Sequence, residues 1–344
     1  MPSVIRVLIV DDSAFARKVV REILSASPFL EVVGVARDGE EALALTASLQ
    51  PDVVICDLQM PKLDGVGYVK QQMKLKPLPI LILSAAAQEA AEVIEALDAG
   101  ALDVVKKPSA LATDQLRVVR EELVEKIRAT VNAPLVNLTR QHVSTPLALF
   151  ARPASKFDLI VIGISTGGPQ ALRHMMPQFP ADFPVPMAIV LHMPVGYTAM
   201  YAEKLNEICA LDIKEAQDGD ALVPGRVLIA QAGRHLNFRK AASGSVVAQL
   251  TMQPLEKIHR PSADVLFRSA AEACGERVLA VVMTGMGDDG KEGAAWVKAN
   301  GGTVLTEAEK SCVIYGMPRS VAEAGLSDGV ILLDDMAQAI TSRL

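Results

Sequence analysis

Two groups of residues in this 344-residue chain have types and spacings fit for chemistry. The first is acidic. Asp11-Asp12 follow the apolar run Ile5–Val10, and Asp57 follows Val53–Cys56. If those runs are parallel strands, their carboxyl ends meet along one edge of a sheet, and distant carboxylates converge. Clustered carboxylates repel unless a hard cation sits among them, and oxygen ligands of this kind suit Mg²⁺. Ser84 ends the run Ile80–Leu83, and Lys107-Pro108 lie just beyond Asp103–Val105. A hydroxyl and an ammonium facing a carboxylate and Mg²⁺ would neutralise a phosphorylated Asp. Taken singly, Asp11-Asp12 read as a helix cap, Ser84 as a turn residue and Lys107 as a solvated charge. Their joint occurrence at four strand ends is what argues for a site.

The second group lies past residue 157. Gly163-Ile164-Ser165-Thr166-Gly167-Gly168-Pro169 leaves an apolar run and opens a helical stretch. Three readings compete here. A dinucleotide loop needs a bare glycine where Ser165 stands. A nucleophile elbow, G-x-S-x-G, would expose the serine hydroxyl on a strand-to-helix turn. A purely structural glycine turn is the third. A serine nucleophile needs a base, and the base needs an orienting acid. His192 follows the run Met187–Leu191, so it too stands at a strand's carboxyl end. His142 falls in a linker-like stretch, His174 within a helix, and His235 and His259 in loop-like segments, all weaker positions. Thr284-Gly285-Met286-Gly287-Asp288-Asp289-Gly290 supplies acids at a third strand end, although alone it could be a phosphate or metal turn.

These positions need a scaffold, and the chain spells one out. Runs at Ile5–Val10, Val32–Ala36, Val53–Cys56, Ile80–Leu83 and Asp103–Val105 read as buried parallel strands. Amphipathic stretches begin near Ser13, Gly39, Gly65 and Gln88, and a last one covers Thr113–Val131. Five such units make a doubly wound α/β domain over residues 1–130. Pro134, Pro146 and Pro153 then punctuate a stretch without acidic residues, read as an interdomain linker over 131–156. Alternation resumes across 157–344 with strands at Leu159–Ile164, Met187–Leu191, Val227–Ala230, Val278–Thr284, Thr303–Thr306 and Val330–Leu333. Helices at Thr198–Ile208, Ala263–Cys274 and Gly290–Ala299 separate them, and Leu236–Met252 around Gly244 reads as an inserted hairpin.

Composition narrows the class. Half the residues are apolar and 22% charged, the balance of an ordinary globular protein. With aromatics at 4%, the cores must be aliphatic. No apolar run reaches the ~20 residues of a membrane span, and Val7–Val10 is too short for a signal peptide. The four cysteines lie far apart with no C-x-x-C pair, which fits free thiols in a reducing cytoplasm. A net charge of −6 with no basic module argues against nucleic acid as a partner.

Val10-Asp11-Asp12-Ser13, Asp57-x-x-Met60-Pro61-x-x-Asp64-Gly65, Ser84-Ala85 and Lys107-Pro108 resemble a response-regulator receiver domain of the flavodoxin-like (βα)5 fold. That resemblance implies that Asp57 accepts a phosphoryl group from a histidine kinase. It also implies Mg²⁺ held by Asp12 and Asp57, by Asp11 through water and by the backbone carbonyl of Gln59. Ser84 and Lys107 would contact the phosphoryl group. Val104 stands where many receivers carry a switch aromatic, so an aromatic rotamer switch is not expected.

The second half resembles the effector of chemotaxis protein-glutamate methylesterases, the family called CheB. The resemblance rests on Gly163–Pro169, His192-Met193-Pro194, Pro261–Phe267, Thr284–Gly290 and Ser311–Arg319. It implies a Rossmann-like, mostly parallel esterase domain that needs no cofactor. Its chain order Ser…His…Asp differs from that of α/β-hydrolases. Ser165 would be the nucleophile, His192 the base and Asp289, rather than Asp288, the acid, reaching His192 Nδ1. Backbone groups of Thr166 and Met286 would form the oxyanion hole. The implied substrates are glutamyl methyl esters on the cytoplasmic helices of chemoreceptors, with deamidation of selected glutamines besides. The implied control is a receiver that covers the site until Asp57 is phosphorylated. Two rivals are a catalytically silent adaptor that binds chemoreceptors and a receiver joined to a transcriptional output.

Overall fold

The computed structural model describes residues 4–85, 87–107, 113–131, 155–241 and 244–344. The chain forms two compact units, one ending with the fifth helix and the other containing everything from the sixth strand onward. Most of the linker read at 131–156, with His142, lies outside the described residues.

The first unit runs β1 (Ile5–Val10), α1 (Ala14–Ser25), β2 (Leu30–Ala36), α2 (Gly39–Leu49), β3 (Val53–Asp57), α3 (Gly65–Leu75), β4 (Ile80–Ser84), α4 (Ala90–Asp98), β5 (Asp103–Lys106) and α5 (Thr113–Thr130). Its sheet is parallel in the order β2-β1-β3-β4-β5, the flavodoxin-like order whose crevice opens beyond β1 and β3. All five residues of β3 and of β4 are buried, as strands covered by helices on both faces must be. Asp64 caps α3, its Oδ1 accepting from Gly67 N at 2.7 Å. Gly65 has to be glycine, because a Cβ there would collide with the Asp57 carbonyl. The D-x-x-M-P-x-x-D-G spacing thus seats the start of α3 directly against the end of β3.

The second unit runs β6 (Leu159–Ile164), α6 (Gly168–Met175), β7 (Met187–Leu191), α7 (Thr198–Ile208), β8 (Asp212–Glu215), β9 (Arg226–Ile229), β10 (His235–Lys240), β11 (Val246–Thr251), α8 (Ala263–Cys274), β12 (Val278–Val282), α9 (Lys291–Ala299), β13 (Thr303–Glu307), α10 (Met317–Glu323), β14 (Gly329–Ile331) and α11 (Leu333–Thr341). Seven parallel strands lie in the order β14-β13-β12-β6-β7-β9-β8, and β10-β11 form a separate antiparallel hairpin. Strand order reverses between β6 and β12, which makes the carboxyl ends of these two strands the crevice where ligands bind. The core beneath is aliphatic: Leu159, Val161, Ala280, Val282 and Val304 are wholly buried. Two readings change. β8 is an additional edge strand, and Leu333 opens α11 instead of ending β14.

Candidate functional site

In the first unit Asp11 is fully buried at the end of β1, Asp57 nearly so at the end of β3, and Asp12 exposed. Ligand oxygens of the three lie within 4.8 Å of one another. Lys107 Nζ sits 2.8 Å from both Asp11 Oδ2 and Asp57 Oδ2. Asp57 Oδ1 accepts from Leu58 N at 2.9 Å. Burial raises the Asp57 carboxyl above its ordinary range, against the lowering pull of Lys107 and with a further push from Asp11. Burial would lower the Lys107 ammonium, but its two carboxylate partners outweigh that and raise it. A cluster of hard oxygens with one lysine fits a divalent cation. Asp11, Asp12 and Asp57 would hold Mg²⁺, which when bound would offset the mutual repulsion of these carboxylates. Gln59 is exposed on the loop just past Asp57.

Ser84 stands at the end of β4, but its hydroxyl donates to the Glu89 carboxylate, which also accepts from Ala85 N at 3.0 Å. In this state Ser84 is held toward α4. Val104 is buried inside β5 beside Ile82, so it has no exposed side chain to swing.

In the second unit, three loops from β6, β7 and β12 converge at the switch point. Ser165 is 8% exposed and donates its N–H to Thr284 O at 2.9 Å. Gly167, at φ +78°, turns the chain into α6, and Pro169 occupies its first turn. The Thr284–Gly290 loop comes against this turn so closely that a Cβ on Gly285 would stand 2.8 Å from Ser165 Cβ. Thr166 follows Ser165 in the turn and is wholly buried, and Met286 follows Gly285.

His192 is anchored through its N–H to Ile164 O. Its imidazole meets Asp289 through Nε2, 2.8 Å from Oδ2, and Nδ1 is buried without a hydrogen-bond partner. The expected Nδ1 contact is therefore replaced by an Nε2 contact. Asp289 reaches the ring from the tip of α8, on the Nε2 side. With Nε2–H donated to a carboxylate, a neutral ring keeps its lone pair on Nδ1, which becomes the basic atom. Ser165 does not yet bond to it. Such bonds commonly tighten only when substrate is bound.

Asp289 itself is held from four directions. Oδ1 accepts from Ser262 Oγ at 2.7 Å and Asp264 N at 3.0 Å, and Oδ2 from His192 Nε2 and from Ala263 N at 2.7 Å. Burial alone would raise this carboxyl. The hydrogen bond and charge of His192 and the N–H groups at the start of α8 overcome it and hold Asp289 far below the usual carboxylate range. Asp264 returns the arrangement, accepting from Gly290 N at 2.9 Å and Gly293 N at 2.8 Å at the start of α9. Each of two helices is thus capped by an acid from the loop or first turn of the other. Asp288 is exposed and pairs only with Lys291, at 3.0 Å.

His259 lies parallel over His192, ring centroids 4.2 Å apart at 17°. Among the other described histidines, His174 pairs with Asp334, and buried His235 meets the Pro254 carbonyl. Sequence reasoning left out Ser262 and Asp264. A serine before an Ala-Asp helix start was the signal, and it reads as an ordinary N-cap.

A doubly wound sheet with a serine turn and a part-buried His–Asp pair, joined in one chain to an acidic receiver sheet, marks the class of receiver-regulated hydrolases. Comparison with known proteins narrows this. Residues 160–340 match the CheB methylesterase family and residues 7–118 the response regulator receiver domain. A Myxococcus xanthus protein-glutamate methylesterase/protein-glutamine glutaminase is 48% identical over 340 residues, covering 97% of this chain and 96% of that one. A Halalkalibacterium halodurans protein of the same description is 42% identical, covering 99% and 98%. The crystal structure of the Thermotoga maritima CheB methylesterase catalytic domain aligns with a TM-score of 0.53 at 39% identity, over 55% of this chain and 99% of that one. This chain belongs to the CheB methylesterase family, in its receiver-bearing form, and is a carboxylic ester hydrolase.

Proposed function

We propose that the chain removes methyl groups from glutamate methyl esters on the cytoplasmic helices of chemoreceptors, and deamidates selected glutamines there, under the control of Asp57 phosphorylation. The observation that carries the assignment of residues is the His192–Asp289 pair, fixed on the N-terminus of α8 beside the Ser165 turn.

Ser165 Oγ attacks the ester carbonyl as His192 Nδ1 takes its proton. The carbonyl oxygen becomes an oxyanion, to which the backbone N–H groups of Thr166 and Met286 donate. Asp289 balances the imidazolium. Collapse of the intermediate expels the methoxy group, which leaves as methanol with the proton from His192. Water, deprotonated by the same nitrogen, then attacks the acyl-enzyme and frees glutamate and Ser165. A glutamine substrate follows the same path with ammonia as leaving group.

The direct test is methanol release from methylated receptor membranes by the purified full chain, with and without a small-molecule phosphodonor and Mg²⁺. Release that rises with phosphodonor supports the proposal. A folded protein that binds these membranes and releases no methanol is the silent adaptor instead. Asp57→Asn is expected to keep the turnover seen without phosphodonor and to lose the stimulation. A ligand or modification shifts a two-state equilibrium only by its differential free energy, about 1.4 kcal/mol per tenfold. Undiminished stimulation of Asp57→Asn would place the phosphoacceptor elsewhere.

A histidine kinase is the natural phosphodonor for such a receiver. No helix among the described residues is long and apolar enough to cross a membrane.

A further inference from the structure

Glu307 ends β13 and is wholly buried. Its Oε2 accepts from Thr284 N at 2.8 Å, and the Ser311 hydroxyl and Cys312 thiol also lie against the carboxyl. The Ser311 hydroxyl also donates to the Ala308 carbonyl. Among the described residues no cation pairs with this carboxyl. β12 and β14, which flank it in the sheet, carry no ionisable side chain. On α9, Lys291 pairs with Asp288, Lys298 with Asp328 and Glu292 with Lys257; on α10, Arg319 pairs with Glu323. On the following turn stand exposed Glu309 and Lys310 and the Cys312 thiol, which burial and Glu307 keep neutral.

The residue it holds is a hub. Thr284 O accepts from Ser165 N at 2.9 Å. Thr284 Oγ1 donates to Thr166 O at 3.0 Å and accepts from Val313 N and Ile314 N at 3.1 and 3.0 Å. Gly285 N then bonds to Ile314 O, and Met317 N to Gly285 O. Glu307 is therefore two hydrogen bonds from the nucleophile's backbone, at the root of the loop that carries Met286.

We propose that Glu307 is a positioning residue that serves the esterase in its neutral form. Protonated, it holds the Thr284 N–H and sets the 284–286 loop against Ser165. Ionised, it places an uncompensated negative charge behind the groups that must receive an oxyanion, and opposes the charge developing there. This rests on Ser165 being the nucleophile. Burial supports it, pushing the carboxyl up to about 7 against the lowering effects of the Thr284 bond and of the Ser311 hydroxyl and Cys312 thiol. A folded-state value above the ordinary one means protons stabilise the fold. That stability is full below the ordinary Glu range, about 4.3, and is lost as pH rises toward 7.

The test is the pH profile of the full chain on methylated receptor membranes, for wild type and Glu307→Gln. Gln keeps an oxygen for Thr284 N and cannot ionise. Wild-type kcat is expected to fall about tenfold on the alkaline side, the scale of a unit charge felt through protein interior. The variant should lose that fall and keep its acid limb. Labelling of Ser165 by a fluorophosphonate should follow the same two profiles. An identical alkaline fall in both proteins overturns the proposal. If the variant does not fold, carboxyl ¹³C shifts of the wild type decide: Glu307 titrating near neutrality supports it, and Glu307 ionised throughout pH 5–8 overturns it. Failure of the serine reading has a different signature, turnover that survives Ser165→Ala.

Discussion

Ser165→Ala is expected to abolish methanol release while the protein still folds and Asp57 still accepts phosphate. The Ser165 hydroxyl is the proposed acyl acceptor, and members of such a constellation act as a unit. Losing the nucleophile should lower kcat by on the order of 10⁴–10⁶. The fold has little at stake. Ser165 is anchored through its backbone, N–H to Thr284 O and carbonyl to Gly168 N, and neither bond involves Oγ. The measurement is receptor demethylation with protein in excess, alongside phosphodonor-dependent phosphorylation of the same sample. A folded variant with turnover within tenfold of wild type would remove the serine mechanism and leave His192 and Asp289 to be explained another way. Fluorophosphonate labelling gives an independent check, because it should be lost with the hydroxyl.

How much of this was legible in the sequence depended on where each signal resides. Strands covered on both faces announce themselves as apolar runs, so β1, β3, β4, β6, β7 and β12 were readable to within a residue or two. β8, Asp212-Ile213-Lys214-Glu215, was not, because an edge strand with one buried residue carries no such run. α11 was missed although Asp334 and Asp335 mark its first turn and Leu333, Met336, Ala337 and Ile340 its buried stripe. The apolar run Val330–Leu333 bridges two elements and hid the boundary.

The sites divide in the same way. Residues at the carboxyl ends of buried strands, Asp11, Asp57, Ser165 and His192, could be named because the sheet dictates where strand ends go. Two of the four donors that hold Asp289 are backbone N–H groups of α8, and backbone groups have no letter in a sequence. The choice of Nε2 over Nδ1 is set by the direction from which the acid arrives, which is a fact of packing. A lone Glu307 at a strand end reads as a solvated charge until the sheet on either side is seen to bury it. The bond between Ser84 and Glu89 is equally silent, since it joins a strand end to a helix start through side chains alone.

Asp289→Asn and Asp288→Asn differ by one position and should differ by orders of magnitude. Both oxygens of Asp289 accept from donors: Oδ1 from Ser262 and Asp264 N, Oδ2 from His192 and Ala263 N. An asparagine must offer an NH₂ to one of those pairs. Facing His192 and Ala263, it opposes two N–H groups, and the ring can answer only by moving its proton to Nδ1, where the base is needed. Facing the other pair, the Ser262 hydroxyl can reverse but the Asp264 N–H is left unpaired. In either arrangement the imidazolium loses its counter-charge. Turnover should fall by roughly 10²–10⁴, and one unpaired buried donor should cost about 1–3 kcal/mol of stability. Asp289 also contributes stability through its low ionisation, present above the ordinary Asp range near 3.9 and lost only in strong acid. Near neutrality the variant should therefore melt lower yet stay folded at assay temperature. Asp288 is exposed and its pairing with Lys291 spans one helical turn at the surface. Such pairs contribute at most about 1 kcal/mol, so Asp288→Asn should turn over within about twofold of wild type. Side-by-side kcat values on methylated receptor, with melting curves to separate chemistry from folding, decide between them. The reverse ranking would mean that Asp288 is the orienting acid and that the loop rearranges when substrate binds.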